Sequence, residues 1–511
     1  MKNTTKIRFM ALVLLMGIGF VSCRNNEDID GKMNSKKVLL KLEQDPIIAY
    51  NIWFKVGSAN DPKGKEGLAY LTAELMADAS TTKNSYSDIL EILYPMATGY
   101  GTKVDKEMTT FRGSVHKDNL EKYNELILDA ILNPAFNEDD FNRVKNNTLS
   151  YIKDQLRYSS DEELGKFALY GYVFGGTPYE HLMVGSVEGL ENITLQDVKD
   201  FHKNYFNKNN YVIGLGGGFD DNLVETIETR LNNLNDTTIN TNVDINTKPI
   251  KGLEVILVEK ENNSTAISFG FPIDVLRGDD DFFALALFSS WFGEHRNQSS
   301  HLFSIIRDKR GLNYGDYAYI ERFLDGGSLS KPDPNNARHK QLFEVWLRPV
   351  QHQHRHFALR AAMRELKIVV DNGMTEKQFE TTKNFLNKYS IHWAATTSER
   401  LGYQVDSEFY GVKDGGNYIN YFREKIRNLT LEQVNNAIKK HIQYNNVKFA
   451  MITTDAEGFK NDLVNNTASP ITYESPKPEE VYEADKEIST FKLDIKPENV
   501  TIVPVDKMFQ K

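Results

Sequence analysis

The chain has 511 residues, 40% hydrophobic and 26% charged, an ordinary globular composition that excludes collagen-like, low-complexity and largely disordered chains. Its 61 Lys and Arg against 71 Asp and Glu give a net charge of −10, the wrong sign for affinity built on basic contacts to phosphate, so nucleic acid is excluded as a partner. The length allows three domains or two large ones, and with Cys23 the only cysteine no internal disulfide supports them.

Residues 1–22 read as an export signal. Lys2, Lys6 and Arg8 precede the apolar run Phe9–Phe20, which is too short to span a bilayer as a stable helix. Cys23, directly after Ser22, resembles the lipidated cysteine of a bacterial lipobox, with Phe20 where Leu is usual. That resemblance implies a lipid anchor and a place in the cell envelope, on the periplasmic or the surface face; a plain signal with a neighbouring Cys is the alternative. Residues 23–36 are polar, starting Cys23-Arg24-Asn25-Asn26-Glu27, and read as a tether.

Lys37–Leu42 and Ala49–Val56 are predicted strands, the second from the alternation of Ile52, Phe54 and Val56. Ala97–Val104 and Met108–Val115 read as two more, joined by an acidic turn. Helical and strand patterns alternate from there on, which gives an α/β or α+β fold. Ile193-Thr194-Leu195-Gln196-Asp197-Val198 recurs as Leu429-Thr430-Leu431-Glu432-Gln433-Val434, each with a Thr placed to open a capping box. At the same spacing Asn209-Asn210 recurs as Asn445-Asn446, leading into the apolar runs Tyr211–Leu215 and Val447–Ile452. A repeated helix, turn and strand predict two homologous halves, 37–245 and 246–465, across the polar seam Leu231–Lys248. Gly214-Leu215-Gly216-Gly217-Gly218 lacks the Lys-Ser/Thr ending of a phosphate loop and reads as a strand-end turn. Residues 466–511, with Pro470, Pro476, Pro478, Pro497 and Pro504, read as an extended arm packed on the body.

Trp53–Ser80 (WFKVGSANDPKGKEGLAYLTAELMADAS) resembles the first strand, loop and helix of the M16 (pitrilysin/insulinase) zinc peptidases. In that family the helix carries His-x-x-Glu-His: two imidazoles one turn apart hold zinc and the Glu activates water. Aligned on Val56-Gly57-Ser58 and Gly67-Leu68-Ala69, the motif falls on Tyr70-Leu71-Thr72-Ala73-Glu74, and the later glutamate ligand falls on Tyr151. A phenol is a poor zinc donor at neutral pH and Ala73 has no base to offer, so the resemblance implies no metal in this chain.

Leu302–Tyr314 (LFSIIRDKRGLNY) resembles a stretch of the family's second half in which an Arg and a Tyr reach the zinc site. By that resemblance Arg307 and Tyr314 would stabilise the oxyanion and hold substrate in a site whose zinc sits on a partner subunit with an intact motif. Read without the resemblance, Arg307 is a helix-end charge, Tyr314 belongs to a tyrosine run with Tyr317 and Tyr319, and Gly311 stops a helix. The family also adds peptide substrate as a strand to the sheet edge after the motif helix, which makes Tyr100, Gly101 and Thr102 candidate peptide contacts. His352, His354 and His356 form an alternating run that could bind metal on a strand, but the helical pattern beginning at Phe357 places them in a solvated loop. The resemblance implies two M16-type halves, each a mixed sheet with helices packed on it, enclosing a chamber. The function it implies is that of a complementing, zinc-free subunit of an M16 peptidase; an inactive peptide-binding or scaffold lipoprotein is the alternative.

Overall fold

The computed structural model describes residues 36–323 and 331–511; the export signal, Cys23 and the tether up to residue 35 lie outside them. In chain order the first sheet takes β1 (Lys37–Lys41), β2 (Ile47–Phe54), β3 (Tyr100–Val104), β4 (Thr109–His116) and β5 (Tyr211–Gly217). The second takes β6 (Leu253–Glu259), β7 (Ser264–Ile273), β8 (Asp316–Tyr319), β9 (Gln341–Gln351), β10 (Val447–Thr453) and β11 (Val500–Pro504).

Strand order exposes the repeat. The first sheet runs β1-β5-β2-β4-β3 and the second β11-β6-β10-β7-β9-β8. Without β11 the two orders superpose strand for strand, each opening with one parallel pair (β1 with β5, β6 with β10) followed by antiparallel ones. The repeated sequence segment is the Leu195–Tyr205 helix in one half and Leu431–His441 in the other. Thr194 and Thr430 cap them in matching boxes with Asp197 and Gln433.

The central strands of each sheet are buried on both faces, by different helices. On β6 and β7, Val255, Leu257, Ile267, Phe269 and Phe271 meet helices of their own half, while Val258 and Ala266 point the other way. That second face receives the Asp161–Val173 helix of the first half through Leu164, Ala168 and Leu169. The exchange is mutual: the Thr397–Tyr410 helix of the second half lies on β1, β2 and β5, with the Trp53 ring 6.3 Å from that of Phe409. This accounts for the glycines of β5. A Cβ on Gly214 would sit 2.4 Å from the Asn51 carbonyl oxygen and one on Gly216 would sit 2.9 Å from Thr397 Cγ2, so the strand is bare where helix and neighbouring strand close on it. An exchanged helix thus covers each of these inner sheet faces.

A polar seam reinforces the exchange. Arg338 and Asp105, each 1% exposed, are paired at 2.6 Å, and His339 meets Glu107 at 2.6 Å. Lys103 reaches Asp333 at 2.7 Å, and the Lys166 ammonium lies 3.8 Å from the Trp346 ring centre.

The C-terminal arm departs from the extended form expected of it. Its Glu479–Thr490 segment is a helix held by the buried pair Arg310–Asp485 at 2.8 Å, and Val500–Pro504 joins the second sheet in parallel with β6. The arm ends on the first half, where Arg157 Nε donates to the Met508 carbonyl (3.0 Å) and the Val187 amide donates to that of Phe509 (3.0 Å).

Candidate functional site

The helix at the expected motif is α1 (Leu68–Ala77). Its start is fixed by Asp61, whose carboxylate accepts from the Gly67 and Ala69 amides at 2.7 Å each, satisfying N–H groups that have no partner within the helix. Burial pushes that carboxyl up to about 7 against those bonds. Tyr70 and Glu74 are one turn apart, with Ala73 fully buried between them. Tyr151 opens a π-helical turn, Tyr151–Leu156, directly after the Glu138–Ser150 helix. The three aligned positions do come together: burial first, then the nearby acids Glu74, Tyr151 and Asp78, push the Tyr70 phenol well up.

Glu74 is the one carboxylate left at these positions. Burial raises its pKa, the Thr102 hydroxyl donates to it at 2.7 Å, Asp78 pushes it further up and Arg143 pulls it back. Arg143 itself is engaged by Asp78 (3.1 Å) and Asp140 (3.1 Å). Two phenols, an alanine and a single carboxylate do not fit a zinc ion, which needs three or four imidazole, thiolate or carboxylate donors. Among the described residues no cluster of three or more His, Cys, Asp or Glu is placed to hold a metal.

Beside α1 runs an open groove of about 540 Å³. Glu74 and Asp78 line one wall, the α2 helix (Tyr86–Leu93) another, and Tyr100, Gly101 and Thr102 of β3 the third. β3 is the edge strand of its sheet, with β4 its single strand neighbour among the described residues. The rim is apolar and open, Leu90 being 49% and Tyr94 86% exposed. All of the groove's lining comes from the first half.

Arg307 and Tyr314 meet elsewhere, at the β8 edge of the second sheet. Arg307 lies in the π-helical turn Phe303–Asp308, and its guanidinium carbon is 5.0 Å from the centre of the Tyr314 ring, which is 74% exposed. Gly311, at φ 70°, turns the chain out of the helix as expected. Tyr314 itself precedes the strand, which begins at Asp316. Two residues that sequence reasoning missed support the turn. Asn313 is 4% exposed and donates to Asp316 Oδ1 (2.6 Å) and to the Arg348 and Gly315 carbonyls (3.2 Å each). Asp316 is fully buried, and burial holds its carboxyl far above the usual range in spite of Arg307's charge. An Asn in a Gly-x-Asn-Tyr turn is a conformational cue, but nothing in the sequence showed that it is buried.

The histidine run is structural rather than a solvated loop. His352 exchanges hydrogen bonds with Thr265 Oγ1 and the Asn262 carbonyl (2.9 Å each). His356 is buried in the helix Arg355–Asn372, where burial and the charges of Arg360 and Arg355 lower its pKa to about 3. The three rings do not converge on one point: the Thr265 bond turns His352 toward β7, whereas His356 packs edge-on to Phe459.

Residues 37–165 match the family profile described as insulinase (peptidase family M16), and residues 192–386 match the one described as peptidase M16 inactive domain. The chain is 21% identical over 456 residues to the non-peptidase homolog YmxG of Helicobacter pylori, covering 86% of this chain and 98% of that one. It is 20% identical over 297 residues to the uncharacterized zinc protease YmxG of Bacillus subtilis, covering 57% and 70%. In structure it is similar to a peptidase M16 inactive domain from Pseudomonas fluorescens, with a TM-score of 0.71 at 20% identity over 82% of this chain and 95% of that one.

Proposed function

The chain belongs to the M16 peptidase family as a homologue without the family's zinc-binding residues, and from that premise we propose that it is the complementing subunit of a two-chain M16 peptidase. The observation that carries this reading is the separation of two half-sites. The groove beside Glu74 has an edge strand for peptide and no metal set, whereas the Arg307–Tyr314 pair stands at the second half's β8 edge with its phenol turned to solvent. A tyrosine O–H and a guanidinium so displayed are accessible to chemistry that a second chain would bring to them. There Tyr314 would donate to the oxyanion formed at the scissile carbonyl, and Arg307, against its ring, would steer the phenol and hold the peptide backbone. Zinc and the base that activates water would belong to the partner. A lipid on Cys23 would tether the pair to the cell envelope.

The test is reconstitution with an M16 chain from the same organism that carries His-x-x-Glu-His. Activity is expected only in the mixture, and Tyr314→Phe is expected to lower its kcat by about 10²–10³-fold. A fully active Tyr314→Phe complex would remove the pair from the mechanism. A second reading, an inactive peptide-binding protein, is favoured by the groove on β3, which needs no catalysis to take up an extended segment. Association of the two chains without peptidase activity would select it.

A further inference from the structure

We propose that the position where the family holds zinc has become a site for an organic cation, the Lys or Arg side chain of a peptide laid along β3. This deepens the reading that peptide docks on that edge, and rests on it.

The argument starts from the charge left at Glu74. Of the two carboxylates lining the groove, Asp78 has partners already, since Arg143, shared with Asp140, reaches it at 3.1 Å and the Tyr86 hydroxyl donates to it. Glu74 accepts a hydrogen bond from Thr102 at 2.7 Å and has no ion pair among those of the described residues. It is mostly withdrawn from water, so its charge is poorly solvated and poorly compensated, the condition under which an incoming cation gains most. The other groups converging there suit an ammonium or guanidinium better than a metal. Tyr94 and Tyr100 line the groove, Tyr70 lies a turn before Glu74, and phenol faces attract organic cations without stripping them of every water; the Tyr86 ring already carries Arg143 at 5.0 Å.

Register supplies the second constraint. Thr102, whose hydroxyl holds Glu74, is itself a residue of edge strand β3. A peptide paired with β3 places alternate side chains on the face of the sheet where Glu74 lies. The volume of about 540 Å³ admits a long side chain in addition to the strand. Lys103, the cation of the strand, is committed to Asp333 at 2.7 Å, and Arg143, the other cation near Glu74, is held by Asp78 and Asp140 at 3.1 Å each.

The experiment compares nine-residue, β-prone peptides, acetylated and amidated to remove terminal charge, with Lys, norleucine or Glu at the centre. Binding to the mature chain is read by fluorescence anisotropy. The Lys peptide is expected to bind about tenfold more tightly than the norleucine peptide. In Glu74→Gln, which keeps the Thr102 bond, the two are expected to bind alike with the norleucine affinity unchanged. Glu74→Lys is expected to reverse the order in favour of the Glu peptide, and serves should the first variant not fold. Equal binding of Lys and norleucine peptides to the native chain would overturn the cation site and leave strand docking standing. A Lys preference that survives Glu74→Gln would place the recognition elsewhere and overturn it too. Failure of every peptide to bind would overturn docking on β3 and the cation site with it.

Discussion

Asp105→Asn is the substitution that most directly probes how the two halves are held. Asp105 and Arg338 are each 1% exposed. Arg338 Nε donates to both carboxylate oxygens, at 3.2 and 3.0 Å, and one terminal nitrogen donates to Oδ1 at 2.6 Å. At a charge separation of about 4 Å and an effective dielectric constant of about 20, the attraction is about 4 kcal/mol. Removing one member of such a pair strands the other charge, at a cost of about 3–5 kcal/mol. Arg338 stacks on the Tyr170 ring at 4.5 Å and has no other carboxylate partner among the ion pairs of the described residues. The expected loss in denaturant unfolding is therefore about 3–5 kcal/mol. Because the charge is what matters, Asp105→Leu combined with Arg338→Met should recover part of it, Arg322, 3.9 Å from Asp105, losing that neighbour in both variants. The sign with pH follows. Burial raises the Asp105 carboxyl, Arg338 together with Arg322 and Lys103 more than reverses this, and the folded pKa falls below the ordinary 3.8. The pair's contribution is whole above about pH 4 and is lost as pH falls through the lower folded value. A loss under 1 kcal/mol in Asp105→Asn, or a double variant no more stable than the single one, would refute the reasoning.

Three further outcomes are expected. Gly214→Ala puts a Cβ 2.4 Å from a backbone oxygen, whereas one at Gly99 meets nothing within 4 Å; the first should lose about 3 kcal/mol and the second close to nothing by thermal unfolding. Burial first, then the charge of Lys106, lowers the His181 pKa to about 3, so its ring stays neutral in the fold and takes a proton on unfolding. The contribution of His181 to stability should then decline as pH drops from about 6.5 toward 3, by up to about 1.4 kcal/mol per pH unit, against the opposite slope of the raised Asp61 carboxyl, and His181→Gln should remove that decline. Thr194→Ala and Thr430→Ala should each cost about 1 kcal/mol, equally within error, since the capping boxes they break are copies of one another.

What the sequence disclosed was local and chemical. The Thr-capped helices and Asn-Asn turns gave the repeat because caps and turns are set by neighbours a few residues away. Tyr70, Ala73, Glu74 and Tyr151 gave the absence of a zinc set because ligand chemistry can be read from residue type. The hidden parts all depend on contacts between distant segments. Gly214 and Gly216 looked like a turn because the helix that needs their bareness begins at Thr397. The histidine run looked solvated because Thr265 and Asn262, which hold His352, lie about 90 residues upstream. The proline-rich arm concealed the Glu479–Thr490 helix, whose anchor is Arg310. The groove at Glu74 was half legible: β3 as an edge followed from the family likeness, while the engagement of Asp78 by Arg143 did not.

The exchanged helices also impose an order on the chain's birth. β5 ends at Gly217 and the helix that covers its second face ends at Tyr410. At ribosomal rates of about 5–20 residues per second, the first sheet waits about 10–40 s with Trp53 and Val212 uncovered. The first half thus lacks one wall of its core until the second half has been synthesised. Cutting the gene between the halves would yield two fragments, each missing one wall of its core and each carrying the other's.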